Sequence, residues 1–215
     1  MKDKIIIYCA DIGSVKKKRF GWARFESEEK KATGHDINEF VSLMIKDIGD
    51  GYKLALGFEC PLFVPISDGP EQLTSARIGE GNRAWCAGAG AGSLATGLTE
   101  TFWILNKLRS GLNINVQAFL SWHDFINSKS GIFIWEAFVS GRVKTDNDSG
   151  DAMLAAKTLF AKSSNRDIES DITPGKLVRS LIGAALLQTG WTSDIKYLET
   201  PCLVIKGVPQ GGNIS

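Results

Sequence analysis

Two apolar runs in this chain end on a carboxylate. IIIYCA leads into Asp11 and KLALGF into Glu59, while a third acid, Asp151, opens the run DAMLAAKTL. Apolar runs of about 4 to 8 residues read as buried strands. A buried strand tolerates a charge only where it reaches the rim of its sheet, because there water or a cation can solvate the group. The pattern therefore predicts an α/β chain whose carboxylates gather at one sheet edge. A cluster built of oxygen alone suits hard divalent cations, Mg2+ or Mn2+.

The segments between these acids supply the rest of the sheet. Residues 4–10 are apolar and β-branched, and after Asp-Ile-Gly-Ser and the basic turn KKKR comes FGWARFE with alternating polarity, which predicts a hairpin with its turn near Asp11. HDINEFVSLMIKDI places Asp36 as an N-cap before apolar residues at Ile37, Phe40, Val41, Met44, Ile45 and Ile48, a helical spacing. YKLALGFE returns to strand character. Strand, hairpin, helix and strand in that order favour a mixed sheet with a crossover helix.

Beyond ECPLFVP, residues 65–92 form a long Gly-, Pro- and Ser-rich stretch that reads as a loop. A helix is expected from Ser93 onward in spite of Gly97, then strands in INVQAFL and GIFIWEAFVSG. DAMLAAKTLFAK reads as a helix with Ser149 as its capping-type residue, and PGKLVRSLIGAALLQ as a second helix beginning after Pro174. PCLVIKG is the expected last strand and GGNIS a frayed end.

At 215 residues, 43% hydrophobic and 23% charged, the chain is long enough to bury a sizeable core, and one domain over 1–215 is the expectation. The formal net charge of +1 carries no long-range field for nucleic acid, although a local basic patch can act within a neutral whole. Cys9, Cys60, Cys86 and Cys202 form no CxxC pair, which argues against a zinc ribbon or a thioredoxin-type site and for reduced thiols. The first apolar run is too short for a signal peptide, and no later run approaches a membrane span, so a cytoplasmic protein without membrane contact is expected. Nothing in the residues specifies an oligomeric state.

The candidate chemistry lies in the acids. Asp11, Glu59 and Asp151 form the first set; Glu136 in IFIWEAF and Asp146 and Asp148 in TDNDSGD could join it. Clustered carboxylates repel, and a cation or a proton relieves them. Each acid can also be explained alone, as a strand-end or helix-start residue placed by solvation and the helix dipole. The basic turn at 16–19, with Lys16 and Lys17 foremost, could meet a phosphate backbone or simply solvate a hairpin turn. Arg83 and Trp85 could clamp a phosphate and stack a base, or anchor the long loop. Gly88, Gly90 and Gly92 precede a helix, but without the preceding strand or the lysine of a phosphate-binding loop they read as a connection. His35 and His123 stand apart from any nucleophile.

DIGS on the first strand, FECP on the fourth, WEAF on the fifth and GDAMLAA opening a late helix resemble the RNase H-like superfamily. The likeness is strongest to its predicted RNase H-like nucleases and spans residues 4–160. Holliday-junction resolvases of the superfamily are similar in having a strand-end Glu that follows the first Asp at a comparable interval. The resemblance implies an RNase H-like mixed sheet with helices on both faces and a metal-dependent nuclease acting on nucleic acid. It implies Asp11, Glu59 and Asp151 as catalytic metal ligands, with Asp148 or Glu136 as additional ones. The competing expectation is a catalytically inactive module of the same fold that binds a protein or nucleotide partner. The actin-like and sugar-kinase ATPases share the DIGS-type turn, but they need two such domains and this chain is too short for that.

Overall fold

The computed structural model describes residues 5–175 and 177–208. Its main sheet is mixed and has seven strands: β1 (Ile5–Asp11), β2 (Gly21–Phe25), β3 (Lys31–Gly34), β4 (Lys53–Glu59), β6 (Ala118–Phe119), β7 (Ile132–Phe138) and β9 (Leu203–Lys206). The order is β3-β2-β1-β4-β7, with β6 and β9 both paired to the outer edge of β7. β1, β2 and β3 form an antiparallel meander, whereas β4, β7, β6 and β9 continue it in parallel. A separate two-stranded sheet joins β5 (Phe63–Ile66) to β8 (Leu177–Ser180).

The central strands are apolar on both faces because both faces are covered. Ile6, Tyr8 and Ala10 of β1, Leu54, Leu56 and Phe58 of β4, and Ile132 and Ile134 of β7 enter one core. That core is closed by Phe40, Val41, Met44 and Ile48 of helix α1 (Ile37–Gly49), Ile104, Leu105 and Leu108 of α2 (Gly88–Gly111), and Ile182 and Leu186 of α5 (Leu181–Gln188). Ile7 and Cys9, Ala55, and Phe133, Trp135 and Ala137 enter the opposite core. There they meet Trp122 and Phe125 of α3 (Trp122–Asn127) and Ala152, Ala155, Ala156 and Leu159 of α4 (Asp148–Lys162). Alternation along each strand thus sends odd and even residues to different helices. Asp47 of α1 is buried but satisfied, by the Tyr8 hydroxyl at 2.5 Å and Arg24 Nε at 2.7 Å.

The alanines of α4 let it lie close on β1 and β2, and Gly21 allows its first turn to touch the sheet. A Cβ on Gly21 would stand 2.4 Å from the carbonyl carbon of Asp148 and the nitrogen of Ser149. This approach carries the start of α4 to the ends of β1 and β4.

Several expected elements differ. The GAGAG run is not loop but the opening of α2, which begins at Gly88, so the irregular stretch covers 67–87 and contains a 3-10 turn at Pro70–Gln72 and an isolated antiparallel bridge from Ile78 to Thr173. Glycine lowers helix propensity by about 1 kcal/mol each; Gly90 packs on the Ala84 carbonyl, 2.4 Å from where a Cβ would stand, which leaves no room for a side chain. PGKLVRSLIGAALLQ is divided: β8 takes its first half, with Val178 and Ser180 buried and Leu177 and Arg179 exposed in strand alternation, and α5 follows with Ser180 as its cap. Only Ala118–Phe119 of INVQAFL is strand, and α3 occupies a segment where no helix was expected. WEAF lies on the seventh strand in chain order because β5 and β6 intervene. The cap of α4 is Asn147, which accepts from Gly150 N, while Ser149 Oγ donates to Asn147 Oδ1 at 2.9 Å. GGNIS lies outside the described residues.

Gly21→Ala forces the first turn of α4 off the sheet. The expected cost is about 1–3 kcal/mol, read in thermal denaturation as a melting temperature several degrees below wild type; an unchanged value would mean that α4 does not need this contact.

Candidate functional site

Asp11 and Glu59 are the last residues of β1 and β4 and are register partners across that parallel pair. Both stand at odd positions of their strands, on the face that carries Ile7, Cys9 and Ala55, and so point toward α4. Asp151, in the first turn of α4, is buried at 3% exposure. One oxygen from each of these three carboxylates lies within 4.8 Å of the others. The carboxyl ends of parallel strands are where ligands settle in open α/β sheets.

Asp151 is held from two sides: Thr145 N donates to its Oδ1, and Lys144 Nζ lies 2.9 Å from its Oδ2. The same ammonium is 3.3 Å from Glu59 Oε1. Glu59 Oε2 is buried with no hydrogen-bond partner. Asp148, the first residue of α4, lines the adjoining cleft and adds repulsion at Asp11. Glu100 of α2 adds repulsion at Asp11, and its Oε2 is buried without a hydrogen-bond partner.

Burial pushes the Asp11 carboxyl up to about 7; Lys144 opposes the shift, and Asp148, Asp151 and Glu100 add to it. Glu59 is raised well above the usual carboxylate range, first by burial and then by Asp11, again against Lys144. Glu100 is pushed up to about 7 by burial, with the Gly13 and Val15 amides opposing. Burial would lower the Lys144 ammonium, but Glu59, Asp151 and Asp11 outweigh it and hold it above its ordinary value. The site is a concentration of carboxyl groups that hold their protons tightly, with one tethered cation among them.

Glu136 does not join this set. It aligns with Phe58 in the β4·β7 ladder, an even position, and its side chain turns to the opposite face. There Arg77 grips it in a fork, Nη2 to Oε1 at 2.6 Å and Nη1 to Oε2 at 2.8 Å, and Leu62 N donates to Oε2 at 2.9 Å. Arg77 Nε also reaches Glu80 Oε1 at 2.9 Å, and the guanidinium is wholly buried. One cation between two buried carboxylates thereby fastens the 67–87 segment to β7.

That segment forms one wall of a cleft of about 400 Å³ whose floor is the acidic edge. Arg83 and Trp85 line it, together with Gly90 and Gly92 of the opening turn of α2. The Trp85 indole donates to Ser75 O at 2.9 Å, so this side chain anchors its loop as well as facing the cleft. Lys16 and Lys17 lie in an exposed 3-10 turn outside the cleft lining, whereas Arg19 is among the lining residues. Asp146 is exposed in the turn before α4. His35 Nδ1 is 2.9 Å from Phe20 O and His123 is 3.6 Å from Asp167, neither near a nucleophile.

Sequence reading missed Lys144, Glu100 and the Arg77–Glu80 pair, whereas of the basic turn at 16–19 the residue that reaches the cleft is Arg19. Glu100 sits on a helix 41 positions from Glu59 with no local signal, and Lys144 becomes meaningful only once α4 has been docked. Glu136 carried one usable signal, its even position in a strand whose odd positions face α4.

Arg77→Ala leaves Glu80 and Glu136 buried and unpaired. The expected loss is about 3–5 kcal/mol in urea denaturation, with new protease cleavage between residues 67 and 87; wild-type stability would refute the anchoring role. A second expectation concerns pH. An unfolded Asp titrates near 3.9, below the folded value of about 7, so the folded state holds the proton more tightly and stability is lost as pH rises through that window. Asp11→Asn should therefore melt several degrees above wild type at pH 8 in EDTA, with the gap shrinking toward pH 5. A gap independent of pH would show that Asp11 ionises in the fold without cost.

Among the described residues no helix is long and apolar enough to cross a membrane. No protein-family model, no curated protein and no solved structure matches this chain.

Proposed function

We propose that this chain is an RNase H-like, metal-dependent nuclease that hydrolyses phosphodiester bonds, with Asp11, Glu59 and Asp151 holding Mg2+ or Mn2+ and Asp148 beside them. The observation that carries the reading is the convergence of three carboxylates from two adjacent strand ends and a helix start, with oxygens within 4.8 Å. The donor set fits a hard divalent ion, since all the donors are carboxylate oxygens and Glu59 Oε2 is buried without a hydrogen-bond donor. The resemblance in DIGS, FECP and GDAMLAA is supported by their placement at the ends of β1 and β4 and the start of α4.

A bound divalent ion would supply Lewis-acid stabilisation of the charge that develops on the phosphodiester oxygens. The chain's own residues do the rest. Asp11 and Glu59 are fixed by the ladder that pairs them, and Asp151 by the Thr145 amide, so the ligands lose little freedom on binding. Arg19 and Arg83 bring positive charge to the cleft for a phosphate, and Trp85 offers an indole for a base. Residues 67–87 build one wall of the cleft of about 400 Å³ that would receive the strand or chain end.

One observation favours a second reading, the inactive binding module: Lys144 already neutralises part of the acid cluster. Manganese calorimetry on wild type and Asp11→Asn, run beside cleavage of short single-stranded and duplex DNA and RNA, separates the two. The nuclease reading expects binding that Asp11→Asn weakens by about tenfold or more, together with cleavage that EDTA and the variant abolish. No manganese binding would remove the nuclease and leave the binding module.

A further inference from the structure

Lys144 is the one cation that penetrates the carboxylate cluster among the described residues. It lies between β7 and α4, directly after the 3-10 turn Gly141–Val143. Its ammonium is 2.9 Å from Asp151 Oδ2 and 3.3 Å from Glu59 Oε1. These belong to two of the three carboxylates whose oxygens converge, so the ammonium sits against the space a metal ion would use. A divalent ion held by these carboxylates would repel an ammonium this close to them.

The two sides of this ion pair differ in freedom. The Lys144 side chain is 44% exposed, on a four-carbon stem, whereas Asp151 is 4% exposed and Glu59 11%. When the pair opens, the lysine moves and the acids stay. Asp151 remains aimed because Thr145 N still donates to Oδ1. Lys144 also lines the cleft that holds Arg19 and Arg83, so a displaced ammonium has an open space beside them.

We infer that Lys144 is a tethered counter-cation that fills the metal position of the ion-free protein and is expelled into the cleft when a divalent ion binds. The inference rests on the metal-site reading above and adds a residue that sets its affinity. The lysine keeps the acids from repelling one another in the absence of metal. It also sets a threshold, because a monovalent ion gains too little from the carboxylates to displace it whereas a divalent ion gains about twice as much per contact.

The test is manganese calorimetry on wild type, Lys144→Gln and Lys144→Arg, with peptide mass spectrometry of lysine acetylation on the unaltered chain. Lys144→Gln should bind Mn2+ about tenfold more tightly than wild type, and Lys144→Arg, which keeps the charge, no more tightly. Acetylation of Lys144 by an N-hydroxysuccinimide ester should rise several-fold on adding Mn2+ while that of Lys16 stays constant, and this measurement decides the matter if Lys144→Gln fails to fold. Wild-type binding with equal or weaker affinity in Lys144→Gln and unchanged acetylation would overturn the role of Lys144 and leave the metal site standing. No Mn2+ binding in wild type or in Lys144→Gln would overturn both.

Discussion

The parallel pairing of β1 with β4 runs from Ile5 opposite Lys53 to Asp11 opposite Glu59 without a break, and the arrangement of the acidic edge follows from it. The register puts two carboxylates side by side at the rim, and strand alternation turns both toward α4. Gly21 then lets α4 approach closely enough for Asp151 to complete the group. A shift of one residue in this ladder would separate Asp11 from Glu59 and send one of them to the opposite core. Apolar burial, which dominates the energetics of the sheet, is thereby what brings like charges together.

Repulsion of that kind needs local relief, and the molecule provides it twice in different forms. On the α4 face, Lys144 is half-exposed and able to leave. On the opposite face, Arg77 is wholly buried between Glu80 and Glu136 and held by a fork whose geometry a lysine could not reproduce. The first arrangement can exchange its cation, whereas the second is permanent and serves to secure the cleft wall. Both sit at the same end of the sheet, separated by the thickness of one strand's alternation.

The strand-end acids were legible because a charge that closes an apolar run has few places to go, and the α1 helix because its cap and period agree. The sheet beyond β4 was less so. β8 carries only one full alternation, Val178 and Ser180 inward, before the α5 pattern begins, too short a stretch for period counting. The first turn of α2 was hidden by its glycines, of which Gly90 alone packs against Ala84. The roles of Lys144, Glu100 and Arg77 depend on contacts between distant segments, and nothing in their immediate neighbours encodes those contacts. Glu136 lay between the two cases, since its face could be deduced only once the β4 register was known.

The edge of β7 is shared end to end by two short strands from very different parts of the chain, β6 opposite Ile132 and Phe133 and β9 opposite residues from Trp135 to Phe138. β6 precedes β7 with only α3 between them, but β9 returns only after α4, β8 and α5. The half of β7 nearest the acidic rim is therefore an open sheet edge until the last strand arrives. In chain order all three carboxylates and their helix precede the strand that covers the flank of Glu136, so the last strand closes the edge beside the acidic rim. Such a sequence of events carries a hazard, since an unpaired edge beside a charged cleft is open to pairing with another chain until Leu203–Lys206 covers it.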